Sequence, residues 1–192
     1  MLKEIETLLE DYKEVFQHSA NVRDLATDFA YYLGYSNQEI NRIRSGAFMH
    51  DVGKLFIPEE ILYKKGKLTS EEYAIVKKHS FHGFAFLKAH GIQDEDWLAM
   101  VVQHHERVDG KGYPFGLVSD EIHPYAKLLS VCDVYDAIVS VRSYKDSYSH
   151  EFAIQAIRDG LGTQFDEYFG NAFISLMNET KYRYKNNQYK AL

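Results

Sequence analysis

Apolar residues recur at helical spacing along most of the chain, and helix caps divide this pattern into segments. Between Ile5 and Leu33 the spacing predicts one long helix or two abutting helices, and Gly34 supplies a stop. Ser36 and Glu39 form a capping box, which predicts that the next helix begins there. No segment alternates apolar and polar residues strongly enough to predict a strand. The pattern therefore predicts an all-α fold.

The same signals predict helices through the rest of the sequence. Thr69 and Glu72 form a second capping box, and the helix that follows is expected to continue to Gly91. No internal repeat or low-complexity linker interrupts the pattern, so we expect a single domain over residues 1–192. The other predicted helical segments are Ser36 to His50, a short piece between Pro58 and Gly66, and residues 94–104, 124–139, 152–157 and 168–177.

Composition limits the chemistry and the partners. The chain has 192 residues and a net charge of -6, and this negative charge argues against a DNA or RNA partner. Cys132 is the only cysteine, which excludes an intramolecular disulfide and metal sites built from thiolates. A metal would therefore need nitrogen and oxygen ligands. No apolar run approaches the length of about 18 residues that a membrane span needs, and the acidic N-terminus is unlike a signal peptide, so we expect a cytoplasmic protein without a membrane partner.

Histidines and carboxylates lie at the ends or on the inner faces of several predicted helices. His50 and Asp51 are adjacent at a helix end, and Glu14 and His18 are four residues apart, which places them on one helix face. Neutral imidazole and carboxylate both bind divalent metals. One polynuclear metal centre would explain the whole set, with carboxylates bridging ions about 3.5–4 Å apart. The candidate ligands are Glu14, His18, His50, Asp51, His79, His104, His105 and Asp133.

Each candidate also has a structural explanation. Glu14 and His18 can form a hydrogen-bonded pair on a helix surface, and His79 can be a core histidine whose polar atoms are satisfied. A buried carboxylate such as Asp133 costs several kcal/mol unless a positive group meets it. The remaining histidines fit no ligand pattern, and we interpret them as surface or structural residues: His82, His90, His123 and His150.

Several motifs follow one another in a fixed order. They are Glu14-x3-His18, His50-Asp51-Val52-Gly53-Lys54, Ile57-Pro58-Glu59-Glu60-Ile61-Leu62, Lys77-Lys78-His79, His104-His105-Glu106 with Gly112-Tyr113-Pro114, and Asp133-Val134-Tyr135-Asp136-Ala137. In this order they resemble the HD-GYP family, a branch of the HD phosphohydrolases. The resemblance covers a core of about residues 14–166, and segment 162–166 is similar to the closing segment of that family.

The resemblance implies a compact HD-domain helical bundle with a glycine-rich GYP loop. It also implies a metal-dependent phosphodiesterase that hydrolyses the bacterial second messenger cyclic di-GMP to pGpG and then to GMP. The metal ligands would be the eight candidates named above, with Asp51 as the bridge. Two or three divalent ions are expected, with Fe or Mn ahead of Zn or Ni, and Glu14 resembles the ligand found in members that hold three.

The resemblance assigns further roles around the metal. Asp51 and Lys54 would be catalytic, and Lys54, Arg142 and Lys145 would contact the substrate phosphates. The GYP loop would shape the pocket rim or dock a partner such as a GGDEF-domain cyclase. The basic tail, residues 181–192, is expected to be a frayed end or a self-association surface, and the second case would give a homodimer.

Two other functions remain open from the sequence. The first keeps the metal but changes the substrate to another cyclic dinucleotide or a nucleotide. The second is a receptor or interaction module that binds a cyclic dinucleotide without cleaving it. In the catalytic case we expect Asp136 or Glu106 to orient the ligand histidines.

Overall fold

The fold is all-α, as predicted. The computed structural model describes residues 2–140 and 148–179, and these ranges contain short 3-10 helices at Val52–Phe56 and Ser119–Glu121 but no strand. None of the helices in these ranges is long and apolar enough to cross a membrane. The α-helices in chain order are α1 (Leu2–Glu10), α2 (Lys13–Tyr32), α3 (Asn37–Met49), α4 (Glu59–Leu62), α5 (Ser70–Lys77), α6 (His79–Ala89), α7 (Glu95–Gln103), α8 (Pro124–Val139), α9 (His150–Asp159) and α10 (Glu167–Asn178).

Side-chain caps begin the helices where the sequence predicts them. The side chains of Ser36 and Thr69 each accept a hydrogen bond from the backbone N–H three residues later. The carboxylate of the glutamate at that position accepts one from the backbone N–H of the cap residue, which completes both capping boxes. Asp94 caps α7 through the N–H of Trp97. The long apolar pattern that begins at Ile5 divides into the abutting helices α1 and α2.

The predicted continuous helix from Thr69 to Gly91 is wrong. The chain forms two helices, α5 and α6, which are separated at Lys78. No residue of α5 is buried, whereas α6 buries His79 and Leu87. The break lets α6 pack into the protein interior while α5 remains at the surface, and helical periodicity in the sequence does not distinguish this from one helix.

Two hydrophobic clusters form the core. The larger cluster joins α2, α3, α7, α8, α9 and α10, and Phe29, Leu128 and Phe173 lie fully buried within it. The smaller cluster joins α1, α2, α3, α6 and α7, with Leu9 and Leu87 fully buried. Helices α2 and α3 contribute to both clusters. Burial of apolar surface therefore holds together the helices that carry the candidate ligands.

The glycine-rich loop after α7 is held by a buried carboxylate. Glu106 accepts hydrogen bonds from the backbone N–H of Phe115 at 2.7 Å and of Leu117 at 3.0 Å. The backbone N–H of Asp109 donates to the carbonyl oxygen of Thr163, which ties the loop to the turn before α10. The sequence offers Asp136 or Glu106 as the carboxylate that orients a ligand histidine. In the structure Asp136 contacts His18, whereas Glu106 orients this loop.

The 3-10 helix Val52–Phe56 lies against α6 at a point where only glycine fits. A Cβ atom on Gly53 would collide with the backbone carbonyl oxygen of His79 and the backbone nitrogen of Gly83. Both obstacles are backbone atoms, so no side-chain rotation can relieve the collision. This contact sets the distance between His79 and Asp51, which lies two residues before Gly53.

We predict that Gly53→Ala lowers stability by about 3 kcal/mol, since overpacked positions typically cost about 1–3 kcal/mol and here both neighbours are backbone. The melting temperature should fall by roughly 6–12 °C for a domain of this size. Gly34→Ala is the matched control. Gly34 has a φ of 77° but open space around its Cβ position, so only the conformational cost of about 1–2 kcal/mol applies. Equal melting temperatures for the two variants would contradict the close packing at Gly53.

Candidate metal centre

Seven of the eight predicted ligands form two neighbouring groups in the described part of the chain. We call Asp51, His79, His104 and His105 the first ligand group, and His18, His50 and Asp133 the second ligand group. Within each group, one potential ligand atom per residue lies within 4.8 Å of the others. All are buried except His105, which is partly buried. A cluster of this density inside a protein is unusual unless a positive charge meets it.

Helix ends deliver most of these side chains. His50 is the C-cap of α3 and His104 is the C-cap of α7, while His79 is the first residue of α6. His18 and Asp133 instead project from within α2 and α8. The site is therefore built where several helices converge, and no single helix contains a complete ligand set.

Asp51 lies between the two groups, with one carboxylate oxygen toward each. Its Oδ1 is 3.4 Å from Nε2 of His79 and 3.9 Å from Nε2 of His104. Its Oδ2 is 3.3 Å from Nε2 of His50 and 3.5 Å from Nε2 of His18. This is the arrangement that a carboxylate bridging two ions requires.

Backbone carbonyls orient most of the imidazoles. Three of them donate the Nδ1 proton to the backbone carbonyl three residues earlier, which turns Nε2 of each ring toward the centre. His18 differs, since its Nδ1 contacts the carboxylate of Asp136 at 2.6 Å. The three backbone bonds join His50 to Ala47 at 2.7 Å, His79 to Val76 at 2.7 Å and His104 to Val101 at 2.9 Å.

Several polar atoms at the centre have geometry that a metal ion would satisfy. Nε2 of His50 and Oδ1 of Asp51 are buried and have no hydrogen-bond partner. Nε2 of His79 and Nε2 of His104 lie 3.3 Å apart, although both rings already donate through Nδ1. Two lone pairs at this distance repel unless a cation or a proton lies between them. The residues therefore fit divalent ions that accept nitrogen and oxygen ligands.

Burial keeps the histidines of the first ligand group neutral. It lowers the pKa of His79 to about 4 and that of His105 to about 3, and it also holds the pKa of His104 well below its ordinary value. Neutral imidazole is the form that binds metals. These three side chains are thus ready to coordinate an ion at physiological pH without first losing a proton.

The carboxylates remain ionised and affect a neighbouring imidazole. Burial opposes ionisation of Asp51, but Lys54 and His50 hold its pKa well below the ordinary value. Burial likewise opposes ionisation of Asp133, whose pKa is held low by His18 and His50. Burial works against a charged His50 ring, yet Asp51 and Asp133 outweigh it and raise the pKa of His50 to about 10. Metal binding would therefore compete with a proton on His50.

Some predicted site residues lie outside this cluster. Glu14 is half-buried on α2 and belongs to neither ligand group, so its role as a ligand stays a prediction. Arg142 and Lys145 lie outside the described residues, as does the basic tail at 181–192. Lys54 lies within the site, where its Nζ donates to Oδ2 of Asp51.

A cavity of about 620 Å³ adjoins the first ligand group. This volume is within the range of about 300–1,000 Å³ typical of small-ligand pockets. Sequence reasoning missed several of its lining residues, among them Tyr73 on α5, Gln164 in the closing segment, and Arg107 and Lys111 beside the loop glycines. In the sequence, the signal that could have identified these residues is their position within or near the family motifs. The full lining is Lys54, Tyr73, Val76, His79, His104, His105, Glu106, Arg107, Lys111, Gly112, Tyr113, Ser130, Val134 and Gln164.

Curated relatives of this chain include enzymes that act on cyclic dinucleotides. The cyclic di-GMP phosphodiesterase response regulator RpfG of Xanthomonas campestris is 38% identical over 70% of this chain and 36% of its own length. A cyclic di-GMP phosphodiesterase of Thermotoga maritima is 35% identical over 92% of this chain and 49% of its own length. A 3'3'-cGAMP-specific phosphodiesterase of Vibrio cholerae is 34% identical over 87% of this chain and 31% of its own length. The chain thus spans half or less of the length of these relatives.

Solved structures share the fold. An HDG"Y"P protein from Bdellovibrio bacteriovorus superposes with a TM-score of 0.72 at 20% identity, covering 86% of this chain and 53% of the other. Over residues 3–168 the sequence matches the family described as HD domain. Together with the motifs and the paired ligand groups, these matches confirm the resemblance to HD-GYP proteins, and the chain belongs to the HD domain family.

Proposed function

We propose that this chain is a metal-dependent phosphodiesterase that opens cyclic di-GMP to pGpG and then to GMP. The observation that carries the proposal is the position of Asp51 between two ligand groups, beside a cavity with a cationic rim. The relatives from Xanthomonas and Thermotoga, which are cyclic di-GMP phosphodiesterases, support the choice of substrate.

The ligand set suits ions that work in pairs on phosphodiesters. Divalent ions in the two groups would lower the pKa of a water toward about 7 and neutralise charge on the phosphoryl oxygens. The seven clustered ligands support two ions, and a third ion at Glu14 rests on the family resemblance alone. Nitrogen and oxygen donors without sulfur suit Fe, Mn, Zn or Ni, and the family resemblance puts Fe or Mn first.

Lys54 is the cationic side chain best placed to act on the reacting phosphate. Its side chain is 15% exposed and lines the cavity, and its ammonium group donates to Asp51. From there it can stabilise charge that develops on the phosphoryl oxygens, or protonate the departing ribose oxygen. Asp51 holds this ammonium group in place as well as bridging the ligand groups. We also propose, from the resemblance, that Arg142 and Lys145 contact the substrate phosphates.

We propose that the GYP loop either forms the pocket rim or docks a GGDEF-domain cyclase, and that the protein works in the cytoplasm. Tyr113 and Lys111 of this loop line the cavity, which supports the rim role. Residues 1–192 as one domain and a homodimer through the tail remain proposals from the sequence.

A change of substrate is the main alternative. The Vibrio cholerae relative specific for 3'3'-cGAMP is nearly as similar to this chain as the two cyclic di-GMP enzymes. A non-catalytic receptor is less well supported, because the ligand residues on which hydrolysis would depend are all present in the sequence.

We predict that the fully metal-loaded chain, prepared anaerobically, turns over cyclic di-GMP faster than 3'3'-cGAMP. Chromatography of the products should detect pGpG first and GMP later. Faster turnover of 3'3'-cGAMP would favour the alternative substrate. Tight binding of cyclic di-GMP without any hydrolysis, in protein shown to hold its metal, would favour the receptor.

We predict that Asp51→Ala loses bound metal and cyclic di-GMP turnover together, because the substitution removes the one carboxylate shared by both ligand groups. Elemental analysis and a turnover assay on the same sample measure both effects. Asp120→Ala, an exposed aspartate in the 3-10 helix Ser119–Glu121, is the control and should behave as wild type. Wild-type hydrolysis by Asp51→Ala would contradict the site assignment.

We predict that Lys54→Met keeps its metal but lowers kcat by about 100- to 1,000-fold, which is the usual cost of removing one group that stabilises developing charge. Methionine retains most of the side-chain volume without the charge. Lys88→Met, at an exposed position on α6, is the matched control. Loss of metal from Lys54→Met would show that Lys54 acts by supporting Asp51. An unchanged kcat would show that Lys54 takes no part in the reaction.

A further inference from the structure

His18 is held differently from the other ligand histidines of the described chain. His50, His79 and His104 donate through Nδ1 to the backbone carbonyl three residues earlier in the chain. Nδ1 of His18 instead contacts Oδ2 of Asp136, a buried carboxylate on α8 that is 118 residues away in sequence. A carboxylate makes the opposite nitrogen of an imidazole a stronger donor to a metal than a carbonyl does.

Asp136 is itself fixed by two further hydrogen bonds. Its Oδ1 accepts from Nδ2 of Asn21 at 3.0 Å and from Oγ of Ser140 at 2.8 Å. Asn21 belongs to α2, as His18 does, so these hydrogen bonds join α2 to α8 next to His18. A carboxylate with both oxygens engaged in this way has little freedom to turn away from His18.

The same turn of α8 supplies a ligand to the other side of His18. Asp133 lies three residues before Asp136, on the same face of the helix, and its Oδ1 is 2.9 Å from Nε2 of His18. The imidazole of His18 is thus placed between two carboxylates of one helix. Asp133 belongs to the second ligand group, and Asp136 lies next to that group through its contact with His18.

Negative charge is therefore unevenly distributed between the two ligand groups. The second group is bordered by Asp133, Asp136 and Oδ2 of Asp51, whereas the first group has only Asp51. Lys54 offsets part of the charge of Asp51, since it donates to the Oδ2 atom that faces the second group, but the carboxylates of Asp133 and Asp136 still contact His18 of that group. A divalent cation binds more tightly where more carboxylate charge surrounds it.

We propose that the second ligand group is the high-affinity half of the metal centre, and that Asp136 is the positioning residue that makes it so. The inference rests on the metal centre of the proposed function. It implies that the two ions bind in sequence, with the first ion held by His18, His50 and Asp133. The ion of the first ligand group, beside the cavity, binds second and exchanges more readily.

Titration of the metal-free full chain with Mn²⁺ tests the proposal. Isothermal titration calorimetry should resolve two binding steps, of which the first is at least about tenfold tighter. Anomalous X-ray diffraction from crystals grown with one equivalent of Mn²⁺ should locate the ion in the second ligand group. An ion found in the first group, or divided equally between the groups, would overturn the proposal without any variant being made.

Asp136→Asn tests the residue itself, because asparagine can still accept a hydrogen bond from His18 but carries no charge. The dissociation constant of the tight step should rise about 10- to 100-fold, the usual effect of losing such a partner, while the weak step changes little. Ser140→Ala removes one bond to Asp136 and keeps its carboxylate, so its effect on the tight step should be much smaller. An unchanged tight step in Asp136→Asn, or equal weakening of both steps, would overturn the role of Asp136.

The outcomes also separate this inference from the proposed function. A chain that binds no Mn²⁺ would remove the metal centre, and the inference with it. Two steps with the expected asymmetry, in protein that does not hydrolyse cyclic di-GMP, would leave the inference standing and overturn the proposed substrate. Hydrolysis of cyclic di-GMP by protein that shows two equal binding steps would support the proposed function and overturn this inference.

Discussion

The structure depends on how buried carboxylates are compensated. Asp51 and Asp133 are ionised in the interior, where an isolated charge would cost more than the whole stability margin of a typical domain. Lys54 and His50 supply part of the positive charge, but the neutral imidazoles of the first ligand group supply none. Oδ1 of Asp51 and the facing Nε2 atoms of His79 and His104 therefore lack a positive partner, and a divalent cation would supply one. This requirement links the fold to its proposed chemistry.

The helices bring together ligands that are far apart in the sequence. Apolar packing fixes α2, α3, α7 and α8 relative to one another, and close contact at Gly53 brings the start of α6 against the residues after Asp51. Backbone carbonyls then orient three of the imidazoles without any additional side chain. Because each helix contributes only one or two ligands, moving one helix would affect the whole centre.

Much of the fold and of the site could be predicted from the sequence. The capping boxes at Ser36 and Thr69 gave two helix starts correctly, and the motif order gave the family. The break at Lys78 could not be predicted, because the apolar periodicity continues across it and does not record the close contact of α6 with Gly53. The role of Glu106 was missed for a similar reason, since its partners are amides in a loop whose path the sequence leaves open.

In the proposed metal centre two ions share the carboxylate of Asp51. X-ray absorption spectroscopy of the fully Mn²⁺-loaded protein can detect this arrangement, because the method reports both the ligand atoms and any second metal nearby. We expect nitrogen and oxygen ligands without sulfur, and a metal neighbour at about 3.5–4 Å. A spectrum with no metal neighbour, from protein that elemental analysis shows to hold two ions per chain, would contradict it.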